Sequence, residues 1–286
     1  MNRIEERLVP VRSGDGASAE LIVVAPPAPR AGLLWLPAMG VPARHYRPLA
    51  EALADAGIAV ALHEWRGIGS SDRRAGRHSD WGCRTLLEDD LPASLAIARA
   101  RHPTLRWRIG GHSLGAQLAA QWSALAPDRV DGLVLLGGGL PYWRTYPPRQ
   151  RWLLRTVFAA VPRIAALCGR YPGRRLGFAG NEARGVMRDW SHSGIHGHYA
   201  PRGLALDLDA AFARVRLPLL AIALADDRYV PSASLDLLLD RFADAPQRRI
   251  ELAGAAFPSG RATHFSWMRE PAPVAAAIAA WCDEIN

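Results

Sequence analysis

The stretch Trp107-Arg108-Ile109-Gly110-Gly111-His112-Ser113-Leu114-Gly115-Ala116-Gln117-Leu118 decides how the rest of the chain is read. Residues 107–110 have the make-up of a short buried strand. From Leu114 to Ala126 apolar and small residues recur at helical spacing. Between them stands Gly111-His112-Ser113-Leu114-Gly115. A bare Gly-x-Ser-x-Gly is common by chance, but one that ends a strand and opens a helix has the context of a nucleophile elbow. The glycines answer a steric demand. A strand that turns sharply into a helix strains the backbone of the middle residue, and side chains on its flanks would clash. Ser113 is then presented at the carboxyl edge of a sheet.

Working outward, short apolar runs at 21–25, 32–36, 58–62, 130–136, 217–225 and 249–252 read as strands. Helical patterns at 46–56, 86–101, 232–242 and 272–283 alternate with them. Strands without an exposed face, separated by helices, predict an α/β fold with a parallel sheet covered on both sides. The rhythm breaks at Leu140 and resumes after Leu208. The intervening stretch is rich in Arg, Pro, Gly, Trp and Tyr, and only 153–166 has apolar helical spacing. The expected organisation is a core of 1–139 and 209–286 with a helical insertion at 140–208.

Composition narrows the function classes. The 286 residues are 49% hydrophobic and 22% charged, as in soluble globular proteins, and 26 Gly and 22 Pro exclude a coiled coil. The longest apolar runs are too short to cross a bilayer. Met1-Asn2-Arg3-Ile4-Glu5-Glu6-Arg7 leads into no apolar segment, so no secretory signal is expected. Cys83, Cys168 and Cys282 form no Cys-x-x-Cys pair and read as small buried hydrophobes in a reducing cytoplasm. The net charge is +8 and every one of the 35 basic residues is Arg. Eleven of these lie in 140–206 against Glu182 and Asp189, so one segment carries the whole excess. That segment reads either as a solvated face of an Arg-rich chain or as an attractor for an anionic substrate or an anionic lipid surface. It matches no nucleic-acid-binding pattern, and no nucleic-acid partner is expected. No Gly-rich phosphate loop is present, so no nucleotide cofactor is implied. His192, His196 and His198 have ligand-like spacing but only Asp189 nearby, and no metal is expected. Trp143, Trp152 and Trp190 read as core of the insertion.

A serine hydroxyl needs a base, and the base needs an acid to hold it. His264 falls after the run 249–252 and before the last helix, where a loop can reach back over the sheet edge. Asp226 and Asp227 both follow the run 217–225, and either is placed to serve as the acid. Asp227-Arg228-Tyr229-Val230-Pro231, with the carboxylate four residues before the proline, favours Asp227 and leaves Asp226 as the alternative. An oxyanion hole needs two backbone N–H groups. Leu114 supplies one, and the loop Pro37-Ala38-Met39-Gly40-Val41-Pro42 the other, at Met39 or at Gly40.

These motifs together resemble the α/β-hydrolases: 36–40 as oxyanion loop, His63-Glu64-Trp65-Arg66-Gly67-Ile68-Gly69-Ser70-Ser71 as a turn after a strand, 111–115 as elbow, then Asp227 and His264. Segments 37–46 and 185–190 and the pair Asp226-Asp227 further resemble a group of bacterial hydrolases distantly similar to monoacylglycerol lipases and serine esterases. Pro37-Ala38 stands where the family has His-Gly. The resemblance implies a mostly parallel eight-stranded sheet, with 140–208 as a cap. It also implies a Ser113–His264–Asp227 triad acting on a small-molecule ester or thioester, without a cofactor. Two other readings are an acyltransferase using the same triad and a non-catalytic binding protein on the same fold.

Overall fold

The computed structural model describes residues 4–285. Residues 1–3, part of the leader reading above, lie outside them. The sheet strands are β1 (Glu5–Arg12), β2 (Ser18–Ala25), β3 (Ala31–Leu36), β4 (Ile58–Leu62), β5 (Trp107–His112), β6 (Leu133–Leu136), β7 (Leu219–Leu224) and β8 (Gln247–Leu252). The longer helices are α1 (Arg47–Asp55), α2 (Leu91–Arg101), α3 (Leu114–Leu125), α4 (Pro148–Cys168), α5 (Arg184–His196), α6 (Ser232–Leu239) and α7 (Ala272–Glu284). The eight strands form one sheet in the order β1-β2-β4-β3-β5-β6-β7-β8. β1 and β2 pair antiparallel, as do β2 and β4; every other neighbouring pair is parallel.

The burial of the strands explains their composition. Every residue of β3, β4, β5 and β6 is buried. Alternate side chains feed two cores. Leu34, Leu36, Ile109, Leu133 and Leu135 pack with Leu91, Leu95, Leu118 and Trp122 on one face. Leu33, Trp35, Val60, Val134 and Leu136 pack with Leu49, Leu53, Val274, Ile278 and Trp281 on the other. Strands covered on both sides carry apolar residues at every position, which is why they read as runs. β1 escaped the sequence reading for the converse reason. Glu5–Arg12 is an edge strand, mostly exposed, held by its ladder to β2 and not by burial.

Between β6 and β7 the chain leaves the sheet. Its helices α4 and α5 pack on each other through Phe158 and Trp190, and a two-stranded ribbon pairs Tyr171–Pro172 with Asn181–Glu182. α4 runs past 153–166 at both ends and continues through Pro162. α5 and the ribbon were not expected. Gly185 and Gly194 interrupt the apolar spacing of α5, and two-residue strands leave no pattern. Trp152 is 67% exposed, not core, and Cys168 is exposed while Cys83 and Cys282 are buried. No helix among the described residues is long and apolar enough to cross a membrane.

Candidate active site

The strand order reverses around β3, which lies between β4 and β5. In open α/β sheets the crevice for ligands opens at the carboxyl ends of the strands beside such a reversal. Register aligns those ends: Leu36 pairs with Gly111, His112 with Leu136, and Leu136 with Ile222. The loops carrying 37–40, Ser113 and Asp226-Asp227 therefore issue from one edge, and the loop after β8 brings His264 to it.

Ser113 is held at φ 57° and ψ −118° between β5 and α3. A non-glycine residue at such a φ costs on the order of 1–3 kcal/mol, which the surroundings must enforce. They do so by close approach. A Cβ on Gly115 would lie 2.0 Å from the Leu36 carbonyl oxygen and 2.6 Å from that of Pro37, and one on Gly111 would lie 2.4 Å from the Gly115 carbonyl carbon. The elbow thus packs directly on the backbone of the 37–40 loop. That loop is pinned twice more. The Trp65 indole donates to the Pro37 carbonyl at 2.9 Å, and the Ala38 N–H donates to the Tyr46 hydroxyl at 2.8 Å. The Pro37-Ala38 backbone is thus held by two aromatic side chains. The N–H groups of Met39 and Leu114 donate to no partner among the described residues.

Tyr46 completes a buried chain. Its hydroxyl lies 2.9 Å from His112 Nδ1, next to Ser113 in sequence. A hydroxyl can accept the Ala38 N–H and still share a hydrogen bond with the ring nitrogen, so Tyr46 links the 37–40 loop to His112. Burial, and then the nearby His264, hold His112 well below the usual histidine range, so it stays neutral. Its ring packs 4.6 Å from that of His264. Tyr46 did not stand out in the sequence beyond its place at the start of a helical pattern.

His264 and Asp227 meet as expected. Nδ1 and Oδ2 are 2.6 Å apart, with both side chains at most 3% exposed. The other carboxylate oxygen, Oδ1, accepts from the Tyr229 N–H at 2.7 Å and the Val230 N–H at 3.1 Å. The His264 carbonyl accepts from the Trp267 indole at 3.0 Å. Asp226 is turned elsewhere. Its Oδ2 accepts from the Ala262 N–H at 2.9 Å and its own N–H donates to the Ala262 carbonyl at 3.1 Å. It ties down the loop that carries His264 and makes no hydrogen bond to the imidazole.

Ser113, Leu114, Met39 and His264 line a cavity of about 390 Å³. Its far wall comes from the inserted segment: Leu154, Val157 and Phe158 of α4, Phe178, and Trp190 of α5. Trp190 thus faces the cavity as well as Phe158 and Phe178. None of the eleven Arg at 140–206 is among the lining residues; the one Arg there is Arg228. His192, His196 and His198 pack on each other away from it, with ring centroids 4.4–6.0 Å apart.

Known proteins agree with this architecture. The chain is 27% identical over 231 residues, 77% of its length and 82% of the other's, to an Azorhizobium caulinodans protein bearing the name "Putative carbamate hydrolase RutD". A thermophilic esterase from Thermogutta terrifontis superposes with a TM-score of 0.61 at 18% identity, over 98% of this chain and 99% of that one. A hydrolase from Pseudomonas aeruginosa PA01 superposes with a TM-score of 0.58 at 23% identity, over 96% and 98%. At that identity the two structures speak for the fold alone. The family described as serine aminopeptidase, S33, matches residues 27–192, from β3 and the elbow through α4 and most of α5. With more than half of the 286 residues matched and the sheet order of an α/β-hydrolase, the chain is a hydrolase and belongs to the S33 serine aminopeptidase family.

Proposed function

We propose that the protein is a serine hydrolase that cleaves a carboxylic ester or thioester through Ser113, His264 and Asp227. The observation that carries this is a strained serine opening on the same cavity as a histidine whose far nitrogen is held at 2.6 Å by a buried carboxylate. Asp227 keeps the Nδ1 proton of His264 in place, leaving Nε2 free to accept the Ser113 proton as Oγ attacks the carbonyl carbon. The oxyanion that develops is met by the Met39 and Leu114 N–H groups, which have no other partner to give up. His264 then passes the proton to the leaving oxygen or sulfur, and the bond to it breaks. Water, deprotonated by His264, releases the acid from Ser113.

The segment 140–208 is the cap of this site. Its contribution is mostly apolar: Leu154, Val157, Phe158, Phe178 and Trp190 form a wall suited to a hydrocarbon or aromatic acyl group, with Tyr146 and Gln150 beside it. The Arg side chains of the cap form no part of that wall. Carbamate and amide bonds belong in the same trial, because the sequence relative and the family are named for them.

The test is covalent labelling with a fluorophosphonate probe, read by intact mass on wild type, S113A and H264A. A single adduct on wild type, absent from both variants, is expected. An adduct that survives S113A overturns Ser113 as the nucleophile, and folded wild type that resists even a small phosphonylating reagent overturns the proposal in favour of the binding-protein reading. An ester and thioester panel of graded chain length, with carbamate and amide counterparts, then ranks the bond types. Transfer to added alcohols or amines in preference to water would move the assignment to an acyltransferase.

A further inference from the structure

A second, solvent-open chamber of about 540 Å³, lined mostly by exposed residues, adjoins the first and shares Arg228, Tyr229, His264 and Phe265 with it. Arg228 and Arg261 face this chamber against one carboxylate, Asp226. Neither guanidinium makes an ion pair or a hydrogen bond among the described residues. On adjoining elements Arg216, Arg241 and Arg249 each pair with an aspartate. Asp226, moreover, already spends Oδ2 on the Ala262 N–H. The chamber therefore presents two uncommitted planar donor arrays of the kind that hold carboxylate or phosphate oxygens.

Its position assigns it a part in the reaction. In the proposed mechanism His264 delivers the proton to the leaving group, so the leaving group departs on the His264 side. The chamber begins at His264 and Phe265, whereas the apolar wall of Leu154, Phe158 and Trp190 lies in the other cavity. We infer that the substrate joins a neutral, apolar acyl group to a leaving group bearing an oxyanion, and that Arg228 and Arg261 hold that oxyanion. This inference rests on the hydrolytic reading and deepens it. It also moves anion recognition from the Arg-rich cap to two arginines of the core.

Three substrates test it: the hexanoyl ester of glycolate, its neutral isostere the hexanoyl ester of glycolamide, and 2-(hexanoyloxy)ethyl phosphate. The measure is kcat/KM for each anionic ester divided by that for the glycolamide ester, which cancels general damage to the enzyme. A charged hydrogen bond to each exposed guanidinium predicts a ratio of several-fold to about tenfold in wild type at low salt, carried in KM. It falls toward one in R228Q/R261Q, is partly kept in R228K, and shrinks as salt is raised. The carboxylate and phosphate ratios show which oxyanion is preferred. A ratio near one in wild type, or a high ratio unchanged in R228Q/R261Q, overturns the anion site while Ser113-dependent cleavage of the glycolamide ester leaves the hydrolase standing. If no ester is cleaved and no fluorophosphonate adduct forms, the hydrolytic reading falls and the anion site with it.

Discussion

Removing one negative charge at either of two adjacent residues should have very unequal consequences. In D227N the new amide must choose an orientation. Two backbone N–H groups, from Tyr229 and Val230, point at Oδ1 of Asp227. The carbonyl oxygen of the new amide must stay there, since turning the NH2 toward them would leave two donors facing a donor. Its NH2 then points at Nδ1 of His264, where Oδ2 stood at 2.6 Å. The imidazole can accept that bond only with its proton on Nε2, the tautomer that cannot take a proton from Ser113. Loss of the tautomer and of the charge that stabilises the imidazolium lowers kcat by about 10⁴-fold in triads of this kind, or roughly 5 kcal/mol of transition-state stabilisation. D226N faces no such choice. Its carbonyl still accepts the Ala262 N–H, and the expected loss is under about fivefold, from a slightly looser His264 loop. The assay is kcat/KM on a p-nitrophenyl ester cleaved by wild type, with near-native melting temperatures as the check on folding. Equal losses in the two variants, or a D227N enzyme that keeps more than about one-tenth of wild-type activity, would refute the reasoning.

Three further outcomes follow from the same geometry. Y46F strips the buried Ala38 N–H of its acceptor, so it should cost about 1–3 kcal/mol in chemical denaturation and lower kcat about tenfold with KM little changed; unchanged kcat would show that the loop needs no such tether. G115A drives a Cβ to 2.0 Å from the Leu36 carbonyl oxygen, a backbone atom, and should destabilise by about 3 kcal/mol or more; a variant within about 1 kcal/mol of wild type would mean the elbow and the loop part readily. Glu182 is buried with its carboxyl pushed up to about 7, so the folded protein holds a proton there that the unfolded chain has already lost. Stability from this group is full below about 4.5 and disappears as pH rises through about 7. Between about pH 5 and 8 wild type should therefore lose about 2–3 kcal/mol relative to E182Q, measured by urea unfolding of both; a pH-independent difference would exclude the titration.

What the sequence made legible follows from where information is local. β3 to β6 could be read because burial on both faces forces apolar residues at every position. Ser113 could be read because the close approach of β5, α3 and Leu36 forbids side chains at Gly111 and Gly115. The spacing to Pro231 favoured Asp227, but the sequence could not orient two adjacent carboxylates, since their difference is a rotation about one strand end. It appears only once Ala262 and His264, far along the chain, are in place. Tyr46 was invisible for a related reason: as one more apolar face of a helix start it has no motif, and its hydroxyl gains meaning only from Ala38 and His112. Charge was less decisive. The Arg of 140–206 read either as a solvated face or as an attractor for anions or an anionic lipid surface; none of them lines the cavity, and the Arg that does, Arg228, lies outside that segment.

On the proposed reading, the cap and the oxyanion loop would have to move together, and glycine is the reason. A Cβ on Gly40 would lie 2.3 Å from the backbone nitrogen of Gly180, so the loop after β3 and the cap touch backbone to backbone. Besides Ser113, Ala179 is the other non-glycine residue with positive φ among the described residues, at 63°, and both line the cavity. Strain is therefore held on both sides of the space where the substrate would sit. On the cap side it is held beside the same Gly180 whose N–H donates to Glu182 at 3.0 Å. A substrate that presses the cap wall outward must shift Ala179-Gly180, and through Gly40 it must shift the loop that carries the Met39 N–H. Acyl groups too large for the wall should consequently lose kcat along with affinity. A cap acting as a detached lid would change KM alone.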